Sequence, residues 1–521
     1  MSPMIGNDAD KFPVDEVEKS DLSVGSGDVD DQHMTRKILW KLDTRILPVL
    51  AVLFLCSFLD RTNVGNARLA HLSHTLKTSY HLEDDTHMTD HQYDQGLAVY
   101  YATYIASEIP SNLIMKRVSP QKWLPFLTFA WGLVAMCLGF VHSFPGFVAV
   151  RAILGLTEGG LLPGMILYLS GIYRREELAL RIGLFYTAAS LSGAFGGLLA
   201  RGLAEIASRG GLSSWRWIFV IEGLLTVVVA IAVYFFLPNG LADAKFLTPE
   251  EREFAMRRVH GSGRGDSLHE REANEKFNWS EVRRGIFSFL TWSTAIAYFG
   301  ILAGLYSFGL FLPTIISALG YTANEAQLWS VIPYAAAAVV TGEYPFQLDL
   351  CQLPPTCKYL IPKLVIVAFL SDRLRVRGII MLFTLPIAII GYAVIANTTN
   401  ARVKYGMTFL MAIGLYSSVP PVLGWLSNNS AGHYKRATTS ALQLAIANAG
   451  GFVTVFVYPK SQGPQYHEGH TIILGLLVAG WFFILASVLY CWKVNRDKAH
   501  GKYDRFIGAG DDRDPTFKLV M

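Results

Sequence analysis

Apolar residues in this chain gather in runs of about twenty instead of alternating with polar ones. The first run, from Ile46 to Phe58, is almost purely apolar. Others lie at about 93–115, 121–142, 146–172, 181–204 and 215–238. They resume at about 286–316, 328–341, 378–396, 403–426, 438–458 and 470–492. The first, within the membrane-depth stretch 45–68, and all the others but the eighth are long enough to cross a ~30 Å hydrocarbon layer as a helix, which rises about 1.5 Å per residue. The pattern predicts an all-α membrane protein of twelve transmembrane helices in two six-helix halves. Residues 35–242 form the first half and 286–495 the second, around a binding site near the midplane. A charged stretch, 243–285, joins them as a central loop, and 1–34 and 496–521 are tails.

Orientation follows from loop charge. Lys116, Arg117 and Lys122 lie between the second and third spans, and Arg174, Arg175 and Arg181 between the fourth and fifth. Arg373, Arg375 and Arg377 precede the ninth span, and Lys435 and Arg436 the eleventh. The alternate loops 143–145 and 317–327 hold no Lys or Arg. Positive charge collects on the cytosolic side, so both termini and the central loop are expected there. Residues 1–34 are acidic and polar with no apolar core of a signal peptide, and read as a disordered cytosolic tail.

The eighth span breaks the pattern. After Trp329 to Thr341 comes GEYPFQLDLCQLPPTCKYLIPK, with Pro345, Pro354, Pro355 and Pro362, before the short apolar remnant Leu364 to Leu370. Prolines in such number cannot continue a lipid-facing helix. Residues 343–363 are read as an irregular insert of the translated-intron kind, with a cavity-lining broken helix as the alternative.

Composition narrows the function. Of 521 residues, 52% are hydrophobic and 17% charged, and the net charge of +4 is too small and too dispersed to suggest nucleic acid. Cys56 and Cys137 fall inside apolar spans and Cys491 ends the last one. Cys351 and Cys357 could bridge only on an oxidising side, so no disulfide framework is expected. His71, His74, His81, His87 and His91 crowd the first outer loop, but their spacing fits no defined ligand set. Neither a metal nor a cofactor is expected. No nucleophile constellation or nucleotide motif appears, so the chain is not read as an enzyme.

Charges inside the spans carry the chemistry. Asp60 falls about 21 Å along a helix starting near Ile46, and Arg61 follows it. Arg151 and Glu158 share one face of the fourth span about 10 Å apart. Charges at such depth are costly and mark pathways. Arginine suits a carboxylate because its planar fork binds bidentately, and a carboxylate in low dielectric can carry a proton near neutral pH. Arg61 and Arg151 are therefore candidate substrate ligands, and Asp60 and Glu158 candidate proton-coupling groups, with Asp60 paired to Arg61 until its partner is engaged elsewhere. Tyr101, among Tyr100, Tyr101 and Tyr104, is expected to border the cavity. Gln443 and Asn448 could bind substrate or bond to a neighbouring helix. Asp372 and Arg373 suit a gating salt bridge at the inner mouth of the eighth span. Glu108 is expected to pair with a loop arginine, and Glu222 could reach another helix's arginine, with gating and packing readings both open. Gly155, Gly159, Gly160 and Gly164, with Gly193 and Gly197, suggest close helix contacts.

The segments FLDRTNVGNARL, SEIPSNLIMKRVSPQKWLP, RAILGLTEGGLLPG, WRWIFVIEG and NNSAGHYKRATTSALQ closely resemble the anion:cation symporter family of the major facilitator superfamily, nearest its fungal allantoate-permease-like branch. The resemblance runs from about Arg45 to Trp492. It implies twelve helices, alternating access and proton-coupled uptake of organic anions such as ureides, nicotinate or pantothenate. Asp60, Arg61, Arg151 and Glu158 match the positions that couple protons to substrate in bacterial sugar-acid members. The chain departs from the family between Glu343 and Lys363, and MKRVSPQK replaces the superfamily's usual Gly- and Asp-containing loop. The expectation is a monomeric, multi-pass permease in the plasma membrane, its partners a small organic anion, a proton and the lipid bilayer. A metabolite exporter or uncoupled facilitator is the rival within transport, and a non-transporting nutrient sensor the rival outside it.

Overall fold

The computed structural model describes residues 14–69, 85–204, 213–260, 279–318, 320, 323–342, 377–459, 462, 465–508 and 511–521. Every regular element among them is helical. In chain order they are α1 (Val14–Leu69), α2 (Asp90–Val118), α3 (Pro120–Leu138), α4 (Phe144–Glu158), α5 (Leu161–Ser170), α6 (Arg175–Ala204) and α7 (Ser214–Phe236). The short α8 (Pro249–His260) and α9 (Trp279–Ile286) follow, then α10 (Phe289–Ala318), α11 (Ala323–Gly342), α12 (Arg377–Asn397), α13 (Ala401–Asn428), α14 (His433–Val457) and α15 (His467–Ala499). Among the described residues nine helices are long and apolar enough to cross a membrane, α4 and α5 counting together as one.

Local sequence sets the helix ends. Thr89 and Gln92 cap α2 reciprocally, each side chain taking the other residue's backbone N–H, and Asn400 caps α13. Pro163 cannot donate to the carbonyl of Gly159 four residues back, and its ring crowds that carbonyl, so the fourth apolar run splits at Gly159–Gly160. Glycine is required there for a second reason. A Cβ at Gly155, Gly159 or Gly160 would run into the Tyr100 and Tyr104 carbonyls or the Ser107 and Ser111 hydroxyls of α2. That close approach seats α4 on α2 and fixes where Arg151 and Glu158 stand. Gly193 likewise makes room for the Tyr334 ring between α6 and α11.

The helices up to α7 pack mostly on one another: α1 on α6 and α7, α2 on α4, α3 on α7. Those from α10 onward do the same, α10 with α14 and α15, and α12 with α13 and α15. The two groups meet along α1–α10, α2–α14, α6–α11 and α6–α13, and the polar core lies at that junction.

At the end carrying α8 and α9 the contacts are ionic. Glu251 of α8 takes Lys37 and Lys41 of α1 at 3.0 and 2.6 Å, Arg258 pairs with Glu177 and Arg181 with Asp43. Residues 511–521 fold back on the same end. Lys498 donates to the carbonyls of Asp512, Asp514 and Phe517, Asn429 exchanges two hydrogen bonds with Val520, and Asp512 pairs with Arg284 and Lys435.

Two expectations meet different geometry. Helical backbone begins at Val14, inside the stretch 1–34 read as disordered. The first proline inside the helix is Pro48. The eighth run starts earlier than expected, at Ala323, and α11 has 20 residues. The insert 343–363 and the gating pair Asp372 and Arg373 lie outside the described residues.

Candidate substrate-binding and coupling site

Successive residues on a helix point about 100° apart, and α1 uses this to serve two compartments. Ser57 and Arg61, four residues apart, face α4. Arg61 Nε donates to Glu158 Oε1 at 2.8 Å and Ser57 Oγ to the same oxygen at 2.6 Å, while the Tyr100 hydroxyl reaches Oε2 at 2.6 Å. Glu158 is fully buried and takes three donors. Asp60 and Asn63 face the other way, toward α3 and α7. Asp60 accepts from the Trp131 indole and Asn63 donates to Glu222.

The expected Asp60–Arg61 pairing is therefore not what the structure holds: adjacency in sequence turns the two side chains apart, and Arg61 pairs with Glu158 instead. Glu222 meets Asn63, not an arginine.

Arg61 also crosses to the second group of helices. Its Nη1 donates to the Tyr306 hydroxyl at 3.0 Å, which donates to Asn448 Oδ1 at 3.0 Å, and the Asn448 amide donates to Glu108. The guanidinium lies 4.7 Å from the Tyr104 ring centre and 5.2 Å from that of Phe58, both cation–π distances. One polar chain thus runs Glu158–Arg61–Tyr306–Asn448–Glu108 across the junction. Beside it is a narrow cavity lined by Phe58, Arg61, Tyr101, Tyr306 and Tyr416. Tyr101 packs on Tyr306 with ring centres 5.2 Å apart.

Arg151 differs from Arg61. It is buried, flanked by the rings of Phe147 and Tyr100 at 5.5 and 5.8 Å, and its Nε and Nη2 have no hydrogen-bond partner among the described residues. A buried charged donor without an acceptor is costly, and an anion would satisfy it. The cluster as a whole holds four carboxylates (Asp60, Glu108, Glu158, Glu222) and two guanidiniums, all buried or nearly so.

Gln443 does not join the chain. It donates to the Val422 carbonyl on α13 at 3.4 Å, because five residues along a helix turn it about 140° from Asn448. Glu108 is also corrected: it faces Asn448 at the junction and not a loop arginine. Tyr306, Trp131 and Asn63 were missed, since nothing in the sequence separates them from the other aromatics and amides in or beside the spans. Ser57 could have been found from its four-residue spacing to Arg61. Among the described residues no group of His, Cys, Asp or Glu is placed to hold a metal ion.

The model of the Major Facilitator Superfamily matches residues 50–455. The chain belongs to this superfamily. An uncharacterised transporter of Schizosaccharomyces pombe is 33% identical over 506 residues, 95% of this chain and 93% of that protein. The high-affinity nicotinic acid transporter of Saccharomyces cerevisiae is 28% identical over 496 residues, 94% and 85% of the two chains. In fold the chain is similar to the Escherichia coli xylose transporter in a partially occluded inward-open conformation, with a TM-score of 0.60, 13% identity and coverage of 85% and 97%. A bacterial homologue of the lysosomal transporter Spinster, inward-facing and unoccupied, gives 0.57 at 17% identity, covering 85% of this chain and 96% of that one. The protein is thus a multi-pass membrane transporter of the superfamily and not an enzyme.

Proposed function

We propose that this superfamily member is a proton-coupled importer of a small organic anion, of the anion:cation symporter kind and nearest the allantoate-permease-like branch. In this reading twelve helices form two halves, 35–242 and 286–495, with cytosolic termini and central loop, working as a monomer in the plasma membrane by alternating access. The observation that carries it is the unsatisfied Arg151 guanidinium beside the buried Arg61–Glu158 pair. An arriving carboxylate supplies the acceptor Arg151 lacks and competes with Glu158 for Arg61. A proton on Glu158 releases Arg61 to the substrate, so loading one favours loading the other. Asp60 acts behind this exchange, in the compartment with Trp131, Asn63 and Glu222, as a second protonation site. Tyr101 and Asn448 complete the substrate surface. The nicotinic acid transporter among the relatives supports an organic anion or vitamin as cargo.

Uptake by a permease-deficient yeast strain, screened against labelled vitamins, ureides and carboxylates, identifies the cargo. Glu158→Gln should then preserve exchange of substrate between two pools and abolish accumulation driven by a proton gradient. A Glu158→Gln protein that still concentrates substrate removes Glu158 from coupling.

A further inference from the structure

A second cavity, of about 410 Å³, opens on the side of the bundle where α2 and α14 bring the two groups of helices together. Three stripes wall it: Ala98 and Ala102 on α2, Phe144 and Val148 on α4, Phe452 and Phe456 on α14. Each pair is four residues apart and so stands one above the other, which makes the cavity a groove running along the helix axes. Phe452 and Phe456 are 42% and 43% exposed with ring centres 5.6 Å apart, and the alanines between the larger side chains form a recess. Gln95 is the one polar residue among the described walls. It lies about 10 Å along α2 from Ala102, toward the end of the bundle opposite α8 and α9, with its Nε2 3.2 Å from His91 Nε2.

Water does not suit this groove, since a buried water needs two to four polar partners and the described walls offer one. α4 and α14 are among the helices apolar enough to cross a membrane, so the medium facing the groove is hydrocarbon. A long, narrow, apolar recess parallel to the helix axes, polar only at its outer end, matches a lipid tail in direction and in polarity. We infer that the groove seats one acyl chain of a phospholipid from the leaflet opposite α8 and α9, its tail along Ala98 and Ala102 and its ester end at Gln95. A tail gains no hydrophobic free energy by leaving its neighbours for an apolar wall, so the preference comes from fit, the chain filling space that the side chains leave. The position gives that chain a role. Gly451 of α14 leaves room for the Tyr101 ring of α2, and the same ring lines the narrow cavity beside Arg61. The lipid is therefore a wedge in the seam between the two groups of helices, one ring away from the polar chain, whatever the cargo is.

Photolabelling of the full-length protein in phosphatidylcholine vesicles tests this. The probe is a phosphatidylcholine with a diazirine midway along one acyl chain, and labelled peptides are quantified by mass spectrometry. Two exposed residues serve as controls for ordinary lipid contact: Ile390 of α12 and Leu198 of α6, 53% and 47% exposed. They lie seven and six residues in from the ends of their helices at Asn397 and Ala204, much as Ala98 lies eight in from Asp90. A seated chain should label the peptides holding Ala98, Ala102, Phe452 and Phe456 about fivefold or more above those holding the two controls, because a surface that lipid merely brushes has no such preference. Ala102→Phe puts a ring in the groove and should lower groove labelling by about fivefold or more with the controls unchanged. Ala102→Leu, a smaller filling for use should the phenyl ring prevent folding, should lower it in the same direction. The wild-type comparison itself needs no variant. Groove labelling at or below that of the controls, as it would be if a second copy of the chain covered this face, overturns the inference. Labelling that Ala102→Phe and Ala102→Leu both leave unchanged also overturns it.

Discussion

Replacing Arg61 by lysine tests whether the site recognises a planar anion or merely a positive charge. The guanidinium makes two directed bonds at once, Nε to Glu158 and Nη1 to Tyr306, and stacks on Tyr104. A lysine ammonium is a point charge that can keep the Glu158 contact but cannot present two parallel donors to a carboxylate. Losing one charge-assisted hydrogen bond costs about 1.5–3 kcal/mol, and weakening the aromatic contact adds up to about 1 kcal/mol. Substrate affinity should therefore fall by about tenfold to nearly a thousandfold. The dissociation constant of whichever substrate the uptake screen returns is the readout, measured by calorimetry on purified protein. Tyr306→Phe, which deletes only the neutral partner, should cost about 1 kcal/mol, or roughly fivefold. Arg151→Lys should repeat the large loss. If Arg61→Lys and Arg151→Lys both bind as the wild type does, the arginines are structural partners and the substrate sits elsewhere.

Outside the spans, hydrogen bonds from Lys41, the Thr248 backbone and Lys37 hold the Glu251 carboxyl down, from its ordinary 4.5 to about 2. A depressed carboxyl stabilises the fold fully above its unfolded value and progressively less as pH drops from about 4.5 toward 2. The melting temperature of Glu251→Gln should thus lie below wild type at pH 7, by the equivalent of on the order of 1–2 kcal/mol given the exposed Lys37, and the gap should close on acidification. A gap independent of pH between 7 and 3 would refute this assignment. Gly155→Leu should separate α4 from α2, because its side chain meets the Tyr100 carbonyl and Thr103, and should cost well over 1 kcal/mol. Gly202→Ala, where a Cβ meets nothing within 4 Å, should be tolerated. Monodispersity on size-exclusion chromatography reports both, and a well-folded Gly155→Leu would show that the contact is dispensable.

The long elements were readable because apolar run length and flanking charge act over about twenty residues at a time. That averaging hides what decides the site. It identified Arg61, Arg151 and Glu158 as charges with no business in lipid, but it could not say which way each points. Asp60 and Arg61 read as a pair because they are neighbours, whereas a 100° step per residue sends one to Trp131 and the other to Glu158. Glu108 was assigned to the basic loop nearest in sequence, while its partner Asn448 comes from a helix 340 residues away. Gln443 and Asn448 looked alike as amides in one run, and only their angular separation distinguishes them. Tyr306 links the two groups of helices, yet in the sequence it is one more aromatic in an apolar stretch.

The split of the fourth apolar run has a mechanical consequence. Glu158 is the last residue of α4, so it sits at the pivot of any bend at Gly159–Gly160, whereas Arg151 stands two turns out along the lever. With about 10 Å between them along the axis, a 10° bend swings Arg151 by about 2 Å and leaves Glu158 almost where it was. Arg151 can thus swing while Glu158, with Arg61 bonded to it, stays at the fulcrum.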